Sequence, residues 1–231
     1  MRVVMVSDLH ITGLEDPVQA RFVRWLDELV VDELVLLGDL FHHWWSFGGA
    51  IQRGYVPVCA ALLRLRARGV RLSVVPGNHD FRLGPFFTDD LGANVRCAHL
   101  RTLDQRRLFL GHGDEADGTA GYRFTRALLR SGLFAALMAV LGPTLGESLL
   151  RRLAGVSRDH PMGSARLLQA QRVWAAARVA EGAEVVVLGH SHAPGEEKIG
   201  EGRLIRLGDW SRGRVWLEVE DGQTRLIQDE G

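Results

Sequence analysis

Lysine is almost missing from this chain: of 28 basic residues in 231, only Lys198 is not an arginine. The bias runs the whole length, so it reads as a coding habit before it reads as function. Net charge is missing as well. The 28 acidic residues balance the basic ones, and a neutral chain gives no reason to expect nucleic acid as a partner. Cysteine is scarce. Cys59 and Cys97 lie far apart with no metal-like spacing, which argues against a disulfide framework and for a reducing compartment. A long uncharged run is lacking too, since the longest, Ser131 to Gly146, falls short of the roughly 20 residues a spanning helix needs. The first residues, Met1 to Asp8, read as a strand heading for a carboxylate, without the apolar stretch and cleavage site of a signal peptide. A soluble or peripheral protein is expected, built as one domain or one domain with a sizeable insertion.

Several short apolar runs each end in a polar, mostly glycine-containing tip. Val3–Val6 leads into Ser7-Asp8-Leu9-His10, 34–37 into Gly38-Asp39, and 72–75 into Pro76-Gly77-Asn78-His79-Asp80. Residues 108–110 lead into Gly111-His112-Gly113-Asp114, and Val185–Leu188 into Gly189-His190-Ser191-His192. Such runs read as buried strands. Amphipathic helices are expected at 18–29 and 58–68, the latter ended by Gly69. Alternating strands and helices argue an α/β sheet. Further strands are expected at 204–207, 215–219 and 225–227, giving two packed sheets with helices outside. From Ala120 to about Glu181 the pattern is helical, with breaks at Gly142-Pro143 and His160-Pro161, and it reads as an insertion over the site.

The chemistry sits at the strand ends, where α/β folds place their sites. Asp8 and His10 alternate, so in an extended segment both side chains face one way, and His190 and His192 repeat that spacing. Asp39 follows a glycine, Asn78 offers an amide oxygen, and His112 adds another imidazole. Carboxylate, amide and imidazole together suit manganese, iron or zinc better than calcium. Seven ligands exceed what one tetrahedral ion uses; two ions about 3.5–4 Å apart, sharing a carboxylate, would use them well. His42-His43 ahead of Trp44-Trp45 reads as a packed loop beside the site.

The motifs Asp8-x-His10, Gly38-Asp39, Gly77-Asn78-His79-Asp80, Gly111-His112-Gly113-Asp114 and Gly189-His190-Ser191-His192 resemble those of the calcineurin-like metallophosphoesterases, over nearly the whole chain. The resemblance implies a four-layer αββα sandwich. It implies one metal at Asp8, His10, Asp39 and His192 and a second at Asp39, Asn78, His112 and His190, with Asp39 bridging. His79 matches the position that assists the leaving group, Asn78 shares in stabilising phosphorus, and Asp80 and Asp114 would orient ligand imidazoles.

Within that family, Gly38-Asp39-Leu40-Phe41 with Trp44-Trp45, Asn78 to Gly84, Ala120-Gly121-Tyr122 and Leu207-Gly208-Asp209-Trp210 resemble the UDP-2,3-diacylglucosamine hydrolases. This implies a lipid-linked nucleotide as substrate, UMP as product, and substrate contacts at Asn78, His79, Tyr122, Ser157 and Arg158. Residues 120–180 carry nine arginines against two acids around an apolar middle, 133–141. An apolar helix edged with arginine suits a lid at an anionic lipid surface, so a cytoplasmic protein peripheral to the inner membrane is expected, with no obligate protein partner. The chain departs from the pattern with His79 in place of arginine, His42 in place of an acid and Thr119 in place of another acid. A paralogue acting on another phosphoester, and a non-catalytic scaffold of the same fold, remain alternatives.

Overall fold

The computed structural model describes residues 1–158 and 164–229, the side chains of 154–158 excepted. The strands are β1 (Val3–Val6), β2 (Glu33–Leu36), β3 (Trp44–Trp45), β4 (Arg71–Val74), β5 (Asp80–Arg82), β6 (Asn94–Val95), β7 (His99–Leu103), β8 (Arg106–Leu110), β9 (Val185–Leu188), β10 (Gly195–Ile199), β11 (Gly202–Arg206), β12 (Val215–Glu220) and β13 (Gln223–Gln228). The helices are α1 (Pro17–Glu28), α2 (Val56–Ala67), α3 (Ala120–Leu129), α4 (Gly132–Arg158), α5 (Ala165–Ala180) and the short α6 (Trp210–Gly213).

Two large sheets form, in the orders β13-β12-β1-β2-β4-β6 and β10-β11-β9-β8-β7, and β3 pairs with β5 in a small third one. The period-two alternation of side chains along a strand then sorts the core. Val3 and Met5 of β1, Leu108 and Leu110 of β8, and Val185 and Val187 of β9 meet between the sheets. Val4 and Val6 turn outward to Phe22 and Leu26 of α1 and to Leu62 and Leu65 of α2. Val186 and Leu188 turn the other way, to Trp174 and Ala175 of α5. The result is the expected αββα sandwich.

Two expectations are refined. The last strands are not one meander: β11 joins the second sheet parallel to β9, and the chain crosses through α6 before β12 pairs with β1 in the first. The helical stretch also divides. Helix α5 is an outer layer of the sandwich. Helix α4 instead packs Phe134, Met138 and Leu150 on Trp45, beyond the strand ends. Gly142 breaks α4 with φ 65° and ψ −177°, as its Gly-Pro pair predicts. The second expected break, at His160-Pro161, lies outside the described residues. By length and composition 132–153 is apolar enough to cross a membrane, although the uncharged run within it is shorter. The break at Gly142 leaves two segments, and the ten residues before it rise only about 15 Å, half a bilayer core.

Candidate metal centre

Three of the five ligand loops, those of Asp8 and His10, of Asp39, and of His190 and His192, hold their ligand residues in the left-handed region. Asp8 (φ 55°), His10 (47°), Asp39 (55°), His190 (68°) and His192 (55°) all lie in that region, which costs a side-chain-bearing residue on the order of 1–2 kcal/mol. This corrects the expectation that Asp8 and His10 converge because the segment is extended. The backbone turns left-handed at both residues, and surrounding contacts hold it there. Asp8 N–H donates to the Gly38 carbonyl at 3.1 Å, and His10 N–H to the Asp39 carbonyl at 3.0 Å. Glycine is required where the loops meet: a Cβ on Gly38 would collide with the His112 ring, and one on Gly77 with the Asp39 carboxylate.

Both central carboxylates divide their oxygens between scaffold and site. Asp8 Oδ2 accepts from Ser7 Oγ at 2.6 Å and from His190 N–H at 2.9 Å, while Oδ1 faces His192 Nε2 at 3.4 Å. Asp39 Oδ1 accepts from His79 N–H at 2.9 Å, while Oδ2 lies 3.3 Å from His112 Nε2 and 3.8 Å from His10 Nε2. His10 Nε2 and His192 Nε2 are 3.0 Å apart, and His112 Nε2 is 3.1 Å from Asn78 Oδ1. Donor atoms therefore gather in overlapping groups: Asp8 with His10 and His192, and Asp39 with His112 and His190, while Asp39 also groups with His10 and His79. Asp39 belongs to both halves, as a bridging carboxylate must.

Asp8, Asp39 and His112 are fully buried, and Asp8 Oδ1, Asp39 Oδ2 and His190 Nδ1 have no hydrogen-bond partner. Buried carboxylate oxygens aimed at one another's imidazoles are costly without a cation between them. Ligand atoms around an ion at roughly 2.0–2.2 Å stand roughly 3–3.5 Å apart, which the His10–His192 and Asn78–His112 spacings match. The residues fit a pair of divalent cations.

Protonation agrees. Burial alone would raise Asp39, but the imidazoles of His112 and His79 outweigh it and hold the carboxyl well below its usual range. Burial pushes the His10 imidazole down to about 3 and that of His190 to about 4, so both are neutral donors. His112 is drawn well above its ordinary value, burial being outweighed by Asp39 beside it. Burial and the neighbouring Asp39 push Asp80 up to about 6.

The groups that orient the imidazoles differ from expectation. Asp80 touches no imidazole; its Oδ2 accepts from the backbone N–H groups of Asp39 (2.9 Å) and Gly77 (3.0 Å), tying two ligand loops together. Backbone carbonyls do the orienting: Leu37 O lies 2.8 Å from His112 Nδ1, and His42 O lies 2.6 Å from His79 Nδ1. Asp209 Oδ2 stands 3.5 Å from His192 Nδ1, a role the Gly208-Asp209-Trp210 motif signalled only as resemblance. Asp114 Oδ2 accepts from Tyr122 Oη at 2.8 Å and pairs with Arg126 Nε at 2.8 Å. Tyr122 thus offers its ring, 6.2 Å from that of His190, rather than a free hydroxyl. Ser157 and Arg158 lie outside the residues whose side chains are described. His43 is buried beside Tyr55, a packed position, as its loop predicts.

A sandwich of two sheets with a carboxylate–imidazole cluster at its strand ends defines a metal-dependent phosphoester hydrolase. The calcineurin-like phosphoesterase family model matches residues 1–194, and the chain belongs to that family. It is 30% identical to the UDP-2,3-diacylglucosamine hydrolase of Pseudomonas putida, over 95% of both chains. It is likewise 30% identical to the enzyme of that name from Chromohalobacter salexigens, over 96% of this chain and 94% of the relative. Among solved structures, an archaeal phosphodiesterase aligns over 99% of both chains with a TM-score of 0.53 and 13% identity, which supports the fold.

Proposed function

We propose that the chain hydrolyses the pyrophosphate of UDP-2,3-diacylglucosamine, releasing UMP and 2,3-diacylglucosamine 1-phosphate, at the cytoplasmic face of the inner membrane. The observation that carries this reading is a mostly apolar cavity of about 510 Å³ between α4 and the loops that follow β3 and β5. It is lined by Trp45, Phe47, Pro85, Ala135 and Ala139, with Arg82 at its wall. The cavity falls within the roughly 300–1,000 Å³ of small-molecule sites, and it opens along β5, which begins two residues after Asn78. A phosphoryl-transfer site in a chain that also carries an apolar chamber suits a phosphate ester with acyl chains. Curated relatives over nearly the full length bear the name of that hydrolase, which supports the substrate class.

Asp8, His10, Asp39 and His192 would hold one divalent cation, and Asp39, Asn78, His112 and His190 the other, manganese being favoured over iron or zinc. The cations supply a water ready to attack and charge to neutralise the phosphoryl oxygens. In the proposed reaction a water oxygen would join one phosphorus as the bridging P–O bond breaks and the bridging oxygen leaves with the other phosphate. His79, its Nδ1 2.6 Å from the His42 carbonyl, keeps Nε2 for the site, where it would sit against the departing oxygen. Asn78 is half-buried and points its amide oxygen at the His112 ring.

Membrane contact would come through α3 and α4. Phe124 (71% exposed), Leu133 (77%) and Val140 (86%) stand open to solvent, with Arg123 and Arg130 beside them, an apolar face edged by cations. UMP release from the diacylated substrate with added manganese, using Asp39→Ala as the blank, tests the reading. No release alongside metal-dependent cleavage of an aryl phosphodiester would keep the centre and discard the substrate.

A further inference from the structure

Helix α3 fully buries none of its residues, and its apolar packing includes Leu129, at its end against the Trp45–Phe134 cluster. A polar stripe seats it as well. Tyr122, Arg126 and Arg130 follow one another at intervals of four, which puts them on one helix face. Tyr122 Oη donates to Asp114 Oδ2 at 2.8 Å. Arg126 sets Nε 2.8 Å from the same oxygen and Nη2 3.3 Å from Glu115 Oε1. Arg130 Nη2 donates to the Gly77 carbonyl at 3.2 Å. All four contacts fall on two loops, the one that carries His112 and the one that carries Asn78. Those two residues meet at 3.1 Å on one side of the cluster. Asp114 is fully buried and sits close enough to His112 and His190 for its charge to act on both. The other half of the cluster, Asp8, His10 and His192, takes its support from Ser7, Asp209 and the Gly38 and Asp39 carbonyls instead.

We propose that Arg126 is a positioning residue for one cation of the pair. With Tyr122 and Arg130 it straps the His112 and Asn78 loops together, so that the Asp39–Asn78–His112–His190 half holds its ion in register. The strap does not serve the Asp8–His10–His192 half. Because α3 leads directly into the apolar α4, the strap also joins the lipid-facing helices to one cation site and not to the other. The inference rests on reading the cluster as a two-cation centre.

Manganese titration of the metal-free full chain by calorimetry tests it, with thermal unfolding run beside each variant to confirm the fold. Wild-type protein is expected to take two ions. In Arg126→Gln one of the two affinities falls about 10- to 100-fold, the usual cost of losing a group that supports a ligand, and the other stays put. Arg126→Lys restores part of the loss, because an ammonium can pair with Asp114 but cannot fork to Glu115. Should Arg126→Gln fail to fold, Tyr122→Phe removes one hydrogen bond to Asp114, and a smaller loss at the same single site is expected. Equal weakening of both sites, or no weakening, overturns the strap while leaving the centre in place. Wild-type protein that takes up no manganese overturns the two-cation reading and the strap with it.

Discussion

The space between the two sheets and the face of α4 are both rich in leucine and valine, yet the structure treats them oppositely. Between the sheets Met5, Leu108, Leu110 and Val187 are completely buried, each strand sending alternate residues inward. Among the residues of α4 whose side chains are described, only Phe134, Met138, Gly146 and Leu150 are buried, while Leu133, Val140 and Leu145 face solvent. Composition alone does not separate these regions. What separates them is that a sandwich offers each strand a facing sheet, whereas α4 has the loops around Trp45 on one side while Leu133, Val140 and Leu145 stand exposed. Apolar surface left open at that scale marks contact with something else.

The sharpest way to break the comparison is at the edge where the two regions meet. Asp39→Ala should remove the carboxylate common to both halves of the cluster and lower kcat/KM by on the order of 10³-fold or more, equal to ~4 kcal/mol, in a manganese-supplemented hydrolysis assay. Inside the sandwich, Leu110→Ala should cost about 2–5 kcal/mol of stability in urea unfolding, since the two packed sheets leave little room to collapse. A loss below about 1 kcal/mol there would show the interior to be as loosely packed as α4.

A polar contact between the sheets gives a smaller, pH-dependent effect. Glu33 of β2 accepts from Arg101 of β7 at 2.6 Å through both oxygens and from Ser73 of β4 at 2.6 Å. Burial would raise its carboxyl, but Arg101 and Ser73 outweigh burial and hold it below the ordinary 4.5. A lowered folded value means the contribution is complete above that ordinary value and fades as pH falls through the folded one. Glu33→Gln should therefore cost about 1–3 kcal/mol at pH 7. The gap from wild type should narrow once the pH drops below 4.5. A gap that stays constant down to acid unfolding would sink the ion-pair account.

The smallest effect on folding is expected on α4. Val140→Ser should change stability by less than about 0.5 kcal/mol, yet weaken binding to anionic phospholipid vesicles roughly tenfold if that side chain enters the bilayer surface. Unchanged vesicle sedimentation would mean that this face meets protein or nothing.

Most of the sandwich was legible because its strands are short, apolar and bounded by glycine, and five of their ends carry donor residues. The two- and three-residue strands β3, β5 and β6 are too short for a pattern, and the longer strands that escaped notice are β7 and β10, whose charged residues, among them Arg101, Glu196 and Glu197, obscure it. They form because a neighbour supplies the ladder, β8 for one and β11 for the other. The break between α3 and α4 at Arg130-Ser131 also carried no Gly-Pro signal ahead of it.

Local sequence thus determined which residues could be ligands, since donor chemistry and strand-end position are properties of short segments. It also determined where α4 breaks, through the backbone freedom of Gly142 and the missing N–H of Pro143. Only the tertiary structure decided that ligand residues would be held left-handed, that backbone carbonyls rather than Asp80 would aim the imidazoles, and that Arg126 would reach Asp114 from another element. Each of these depends on groups distant in the chain being brought within 3–4 Å, and no local pattern encodes a contact whose two partners are specified separately.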